Sequence, residues 1–335
     1  MQLRSTLRLL VPILLATGAA LRAQEFSLLA GGMNTPDASP LHSSYAWQID
    51  YRHGLVQNLE LSIAWVNEGH VSGHHRDGNA YELWYRLPFN TNVIRLSLGA
   101  GAYYYYDTQP LPPPSTDSLN LHGVAPILSL SAEGAIYDRW FWRIIFNRVN
   151  PSAAIKTNTA LFGLGYWLGP GPGLPMGNLP GLFEGARAGV GEAKNEFTVF
   201  GGWSVVNTLF SQGSAACGAE YRRDLLPNLD ATISYFYEGD PHIVRRGGVG
   251  LQLWPVAKSF GDHFVVGFGA GTYIYIDRKH QRPGQNAQAA VAGLVSPMVS
   301  YRLNDGWFVR LVWNRVITTY SRDSDIWLVG IGYRL

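Results

Sequence analysis

The chain has 335 residues, a formal net charge of +2 and a single cysteine, Cys217. A charge so near zero excludes nucleic acid as an electrostatically attracted partner, and one cysteine excludes an internal disulfide framework. Charged residues are 15% and aromatics 13%, with 38 glycines; soluble domains carry about 25% charged residues, so this balance suits membrane strands with aromatic girdles instead.

At the N-terminus, Arg4 and Arg8 accompany a mostly apolar run from Leu9 to Leu21, and Ala23 offers a cleavage point. That is the pattern of a secretory signal peptide, expected over residues 1–23. No later stretch approaches the roughly 18 to 20 apolar residues of a membrane-spanning helix. For an exported chain, that leaves a soluble periplasmic protein or a β-barrel.

Period-2 alternation bounded by turn residues then predicts strand after strand. The first half reads as strands near 25–32, 44–52, 58–67, 80–88, 93–106, 121–136, 139–148 and 158–168. The second reads as strands near 196–203, 214–222, 228–237, 247–255, 263–276, 288–302, 306–316 and 325–335. Connections alternate between short turns, such as His53 to Gln57, Pro88 to Asn92 and Leu303 to Gly306, and longer polar loops. The long ones include Met33 to Ser43, Glu68 to Asn79 and the proline-rich Asp107 to Asn120. Short turns at one end and long loops at the other fit a bacterial barrel, and an even strand count puts both termini at the short-turn end.

The two halves are copies of each other. Glu25-Phe-Ser-Leu-Leu-Ala-Gly-Gly32 matches Glu196-Phe-Thr-Val-Phe-Gly-Gly-Trp203. At an offset of 170, Tyr51, Arg52, Leu55, Asn58, Leu59, Ile63, Glu68 and Gly69 match Tyr221, Arg222, Leu225, Asn228, Leu229, Ile233, Glu238 and Gly239. Leu98-Gly-Ala-Gly-Ala-Tyr103 matches Phe268-Gly-Ala-Gly-Thr-Tyr273, and Trp140, Phe141, Arg143, Asn147, Arg148 and Val149 match Trp307, Phe308, Arg310, Asn314, Arg315 and Val316. So many matches in one order establish a tandem duplication.

The final stretch, Asp325-Ile-Trp-Leu-Val-Gly-Ile-Gly-Tyr-Arg-Leu335, puts Trp327, Val329, Ile331, Tyr333 and Leu335 on one face. It resembles the C-terminal signal strand of bacterial outer-membrane β-barrels, departing from it at Leu335, where that family usually ends in Phe. The resemblance implies a location in the bacterial outer membrane, recognition of this strand by the barrel-assembly machinery, and lipids including lipopolysaccharide as surroundings. A second copy occurs 167 residues earlier, with Phe162, Leu164, Tyr166 and Leu168 on its apolar face.

Alternation also sorts side chains. Leu59, Leu61, Ile63, Trp65, Trp140, Trp142 and Phe146 fall outward, with Leu229, Ile233, Tyr235, Trp307, Val309, Leu311 and Trp313 in the second half. Inward fall Asp50, Arg52, Glu60, Glu82, Arg143 and Asn147, with Glu220, Arg222, Asp230, Gln252, Arg310 and Asn314 as their partners in the repeat. A charge facing lipid at mid-depth costs about 2–4 kcal/mol, which enforces the sorting. Inward acids and bases together form a candidate structural polar network. Gly99, Gly101, Gly163 and Gly165 fall inward beside Trp84, Tyr103 and Tyr105, which suggests a filled and narrow interior.

The expected organisation is therefore all-β: a signal peptide over 1–23, a barrel repeat over 24–168, a Gly/Pro-rich periplasmic linker over 169–194, and a second repeat over 195–335. The linker and the doubled closing strand favour two eight-stranded up-and-down transmembrane barrels. The alternative is one sixteen-stranded barrel.

Two features bear on chemistry. His70, His74, His75 and Asp77 carry metal-ligand side chains, but no spacing among them is a metal motif, and the second copy keeps only His242. They read as a polar loop, and no cofactor or metal is expected. The halves also resemble, in architecture and length, the eight-stranded barrels of the lipid A deacylase family. That family carries His-x-Ser on a late strand; here the corresponding stretches are Phe146-Asn-Arg-Val149 and Trp313-Asn-Arg-Val316, so the catalytic pair is missing. His70-Val-Ser72 has the letters but sits in an early loop, and its counterpart is Asp240-Pro-His242. Asn147 with Arg143, and Asn314 with Arg310, are candidates for an anion site or, more simply, for lumen filling. Arg148 and Arg315 fall outward near a long-loop end, placed to snorkel toward lipopolysaccharide phosphates. The expected function is a non-enzymatic structural or interaction element of the envelope, with a porin-type channel as first alternative and a lipid A-modifying hydrolase as second.

Overall fold

The computed structural model describes residues 24–37, 42–71, 73–88, 94–111, 118–137, 139–152, 154–167, 195–208, 213–226, 229–240, 245–259, 263–279 and 290–335. The expected signal peptide and linker lie outside the described residues. The strands are β1 (Gln24–Asn34), β2 (Ser43–Val56), β3 (Leu59–Val71), β4 (His74–Arg86), β5 (Arg95–Pro110), β6 (Ser118–Tyr137), β7 (Trp140–Val149) and β8 (Thr157–Trp167), followed by β9 (Asn195–Val206), β10 (Gly213–Leu226), β11 (Leu229–Tyr237), β12 (Arg245–Ser259), β13 (Phe264–Lys279), β14 (Val291–Arg302), β15 (Trp307–Ile317) and β16 (Ser324–Arg334).

Within each half, every strand pairs antiparallel with the next, and the rings close twice. β8 returns to β1, with Phe26 opposite Tyr166 and Leu28 opposite Leu164. β16 returns to β9, with Val199 opposite Ile331 and Trp203 opposite Trp327. The protein is thus a tandem pair of eight-stranded, up-and-down transmembrane-type barrels, and the sixteen-stranded alternative is excluded. Eight strands enclose a space that side chains can just fill. Fully buried Trp84, Tyr103, Arg52 and Arg143 occupy it in the first half, and Trp254, Tyr273, Arg222 and Arg310 in the second.

Several strands run further than local alternation predicts. The expected polar loop from Glu68 to Asn79 is instead the paired end of β3 and β4, in which Val71 faces His74. A register shift lies between Asn67 and His70, where Gly69 adopts φ +65°; a Cβ there would sit 2.3 Å from the Tyr45 carbonyl oxygen. Gly239 repeats the conformation at φ +80°, with the Ala215 carbonyl at 2.4 Å. Only glycine tolerates both the left-handed backbone and the close approach, which explains why Glu-Gly is kept at this point of both halves.

The wall is sorted as alternation requires. Leu28, Phe162 and Leu164 on the first barrel, and Val199, Val329 and Ile331 on the second, are exposed apolar side chains on the outer surface. Inside, size is matched across strands. A Cβ on Gly99 would lie 2.8 Å from the Trp84 ring, and one on Gly269 would lie 2.4 Å from Trp254. Gly165 stands in the same relation to Phe141, and Gly332 to Phe308. These glycines make room for the aromatic rings that plug each lumen.

Candidate functional site

The first lumen is crossed near its short-turn end by a buried ionic network. Arg143 of β7, fully buried, donates to Glu25 of β1 and Glu133 of β6, to Asp50 of β2 at 3.1 Å and to Ser27 at 3.1 Å. Arg52 donates to Asp50 at 2.9 Å and to Ser131 at 3.2 Å, and its guanidinium lies 3.6 Å from the centroid of the Trp84 ring. Arg86 pairs with Glu60, and Arg95 with Glu133 at 3.1 Å. Multiple charge-assisted bonds per guanidinium offset the desolvation of burying it.

The second lumen repeats this arrangement. Arg310 donates to Glu220 at 2.8 Å and Glu196 at 2.6 Å. Arg222 bridges Glu220 and Asp230, both at 3.2 Å, over the Trp254 ring at 4.4 Å. A second tier lies toward the long-loop end of each barrel. Arg76 pairs with Glu68, which also accepts from Thr157, and Arg246 pairs with Glu238 at 2.7 Å and donates to Ser324 at 2.8 Å and Tyr320 at 3.2 Å.

The inward positions read from the sequence separate into groups. Asp50, Arg52, Glu60 and Arg143 join the first network, and Glu220, Arg222, Asp230 and Arg310 the second. Glu82 is buried on the same wall, near Ser129 and Arg52 but outside the ion pairs. Asn147 does not pair with Arg143: its amide donates to Gln48 at 2.9 Å. Asn314 accepts from Ser296 at 2.6 Å, and Ser296 in turn accepts from Gln252 at 2.9 Å. The Asn–Arg anion site considered from the sequence is therefore not assembled. Alternation alone left out Glu25, Glu133, Glu196 and the Arg76 and Arg246 tier. The repeat held the missing signal for all but Glu133, whose counterpart is Ser300: Glu25 and Glu196, Glu68 and Glu238, and Arg76 and Arg246 are kept in pairs.

The histidines do not converge on a metal. His70 and His75 stack with ring centroids 3.9 Å apart, and His74 bonds Asp107 at 2.8 Å. No group of three or more potential ligands occurs among the described residues. Ser72, the other half of the His-x-Ser letters, lies outside the described residues.

A second arrangement was invisible from the sequence: the two barrels dock side by side. Arg315 of β15 does not reach toward lipid headgroups. It is buried, donating to Asp77 of β4 at 3.0 Å across the junction and to Asp325 of its own barrel at 2.8 Å. Arg148, its counterpart, stays exposed and donates to Asn158 of its own barrel at 2.8 Å. Trp65 and Trp313 point outward but meet each other, with centroids 4.3 Å apart in an edge-to-face arrangement. Trp47, Ile49 and Tyr104 from the first barrel and Val295 and Ile317 from the second pack around them. Nearer the loops, His122 bonds Asp323 at 2.7 Å and the Asn120 amide donates to the Asn207 carbonyl at 3.0 Å.

Asp323 sits in the loop between β15 and β16. Burial opposes its charge, but the hydrogen bond and charge of His122, with Arg315 beyond, hold its carboxyl below the usual carboxylate range. A group whose folded-state value is depressed adds stability that is complete above the unfolded range, about pH 4, and drains away as pH falls through the folded value. Docking, followed by energy transfer between dyes placed on the two barrels, should therefore be insensitive to this group from neutral pH down to about pH 4 and weaken below it. Loss of transfer in His122→Ala at neutral pH but not in His74→Ala would locate the effect at this bond.

No protein-family model matches the sequence, and no curated protein matches it. Among solved structures, the chain is similar to the N-terminal β-barrel domain of Pseudomonas aeruginosa OprF, with 12% identity and a TM-score of 0.34 over 43% of this chain and 98% of that one. It is also similar to the NanC porin, with 6% identity and a TM-score of 0.23 over 94% of this chain and all of that one, 100%. The Pseudomonas putida toluene transporter TodX gives 7% identity and a TM-score of 0.24 over 94% and 90% of the two chains.

Proposed function

We propose that the chain is an integral protein of the bacterial outer membrane, a non-enzymatic structural and interaction element of the envelope built from two closed barrels. The observation that carries this reading is the state of the lumens. Each is spanned by two tiers of buried arginine–carboxylate pairs with fully buried Trp84 or Trp254 between the walls. A water-filled path would have to strip carboxylates from guanidiniums whose hydrogen bonds are already made, leaving buried charge unpaired. The exposed apolar belt suits contact with outer-membrane lipids, lipopolysaccharide among them, and the terminal strand β16 suits engagement by the barrel-assembly machinery.

A porin-type channel is the reading this opposes. Full-length protein, shown to be folded by heat-modifiable gel migration, is expected to be silent in a planar bilayer. Large and stable conductance steps would establish a pore and remove the closed-lumen proposal.

A further inference from the structure

The junction between the barrels joins two different faces. The first barrel contributes β2 to β5, with Trp47, Trp65, Asp77 and Tyr106; the second contributes β14 to β16, with Trp313, Arg315 and Asp325. Because the barrels are copies, each also carries the equivalent of the face its sister uses. A junction of this head-to-tail kind does not close on itself, so further copies of the chain could in principle add in rows.

The free faces are altered at the positions that make the contact. On the second barrel, Trp47 is replaced by Cys217, Trp65 by Tyr235 and Asp77 by Gly247. On the first, Trp313 is replaced by Phe146 and Asp325 by Asn158. Burial follows these replacements: Trp65 is 3% exposed and Trp313 5%, against 45% for Tyr235 and 52% for Phe146. Without the Asp77 equivalent, an arginine docked on the second barrel's free face would lack the carboxylate that receives Arg315 at the junction. We propose that the junction is single-use. The face bearing Arg315 accepts only the sister barrel's Asp77 face, and the lost carboxylate and tryptophans stop chains from extending head to tail. The occupant of this surface is the other half of the same chain, and loss of the contact residues on the free faces acts as negative selection against a second copy.

Two cysteine pairs in the full chain test this in densely loaded proteoliposomes under one oxidising condition. Trp47→Cys with Trp313→Cys, in a Cys217→Ser background, reports the junction within a chain; Trp47 and Trp313 have ring centroids 6.2 Å apart. Phe146→Cys with the native Cys217 reports the equivalent junction between chains. The expected result is an intramolecular cross-link from the first pair and no ladder of linked chains from the second. Absence of a cross-link within the chain from both the first pair and the Asp77→Cys with Arg315→Cys pair, in protein that shows folded, heat-modifiable migration, would overturn the proposal. A ladder from the second pair would overturn it equally, since the free faces would then be pairing. Because the substituted tryptophans belong to the contact, Asp77→Cys with Arg315→Cys is run alongside, and the junction stands if either pair closes within the chain.

Discussion

Arg143→Met is expected to destabilise the first barrel by about 3–5 kcal/mol, the range for removing one partner of a buried ion pair. The guanidinium serves Glu25, Asp50, Glu133 and Ser27 from three different strands. Methionine fills much of the volume but removes the one cation these carboxylates share, leaving Arg52 on Asp50, Arg86 on Glu25 and Arg95 on Glu133, so the loss is of charge compensation more than of packing. Urea unfolding of the vesicle-embedded protein should show a lower midpoint with little change of slope. Arg148→Met is the control: this side chain is exposed, and its loss is expected to stay within about 0.5 kcal/mol. Adding Glu133→Gln to Arg143→Met should recover part of the deficit, a non-additivity that marks a shared network. Equal stabilities for the Arg143 and Arg148 variants would show that the buried network contributes nothing.

The second large effect is expected at Trp84. The indole is fully buried, its Nε1 donates to Ser62 at 2.8 Å, Arg52 lies over its ring at 3.6 Å, and Gly99 faces it with no room for a Cβ. Trp84→Ala should cost about 3–5 kcal/mol through the cavity it opens. Gly99→Leu alone should also destabilise, by overpacking against the ring. Together, Trp84→Ala and Gly99→Leu should be more stable than the sum of the single changes, because leucine enters the space the indole leaves. The same exchange applies to Trp254 and Gly269, where the indole donates to Thr232 at 2.9 Å. Strict additivity in the double variant would show that the two residues do not share one space.

The period-2 pattern, the duplication and the inward or outward side of most positions were legible in the sequence. All three are local: a strand turns over at each residue, so the side of Arg143 or Leu28 follows from its neighbours. The double closing strand and the long linker also pointed toward two rings. The particular pairings were not legible. Arg143 and Glu25 lie 118 residues apart and meet only because β7, β8 and β1 become neighbours when the ring closes. Asn147 shares the inward face with Arg143 yet bonds Gln48, because strand tilt and stagger decide which inward side chains come level.

The junction lay further still from sequence reasoning. Alternation places Trp65, Trp313 and Arg315 on the outside correctly, but outside a barrel are both lipid and the neighbouring barrel. Which of the two a residue meets depends on its sector around the wall. That is a property of the packed pair, with no local signal along the strand. The sequence by itself determined that there are two barrels' worth of strands and which face of each strand is polar, since steric alternation and the penalty for charge in lipid act residue by residue. Tertiary structure alone decided where the rings close, which acid meets which arginine, and which outward tryptophans are buried, since those depend on distances between strands that only closure and docking bring together.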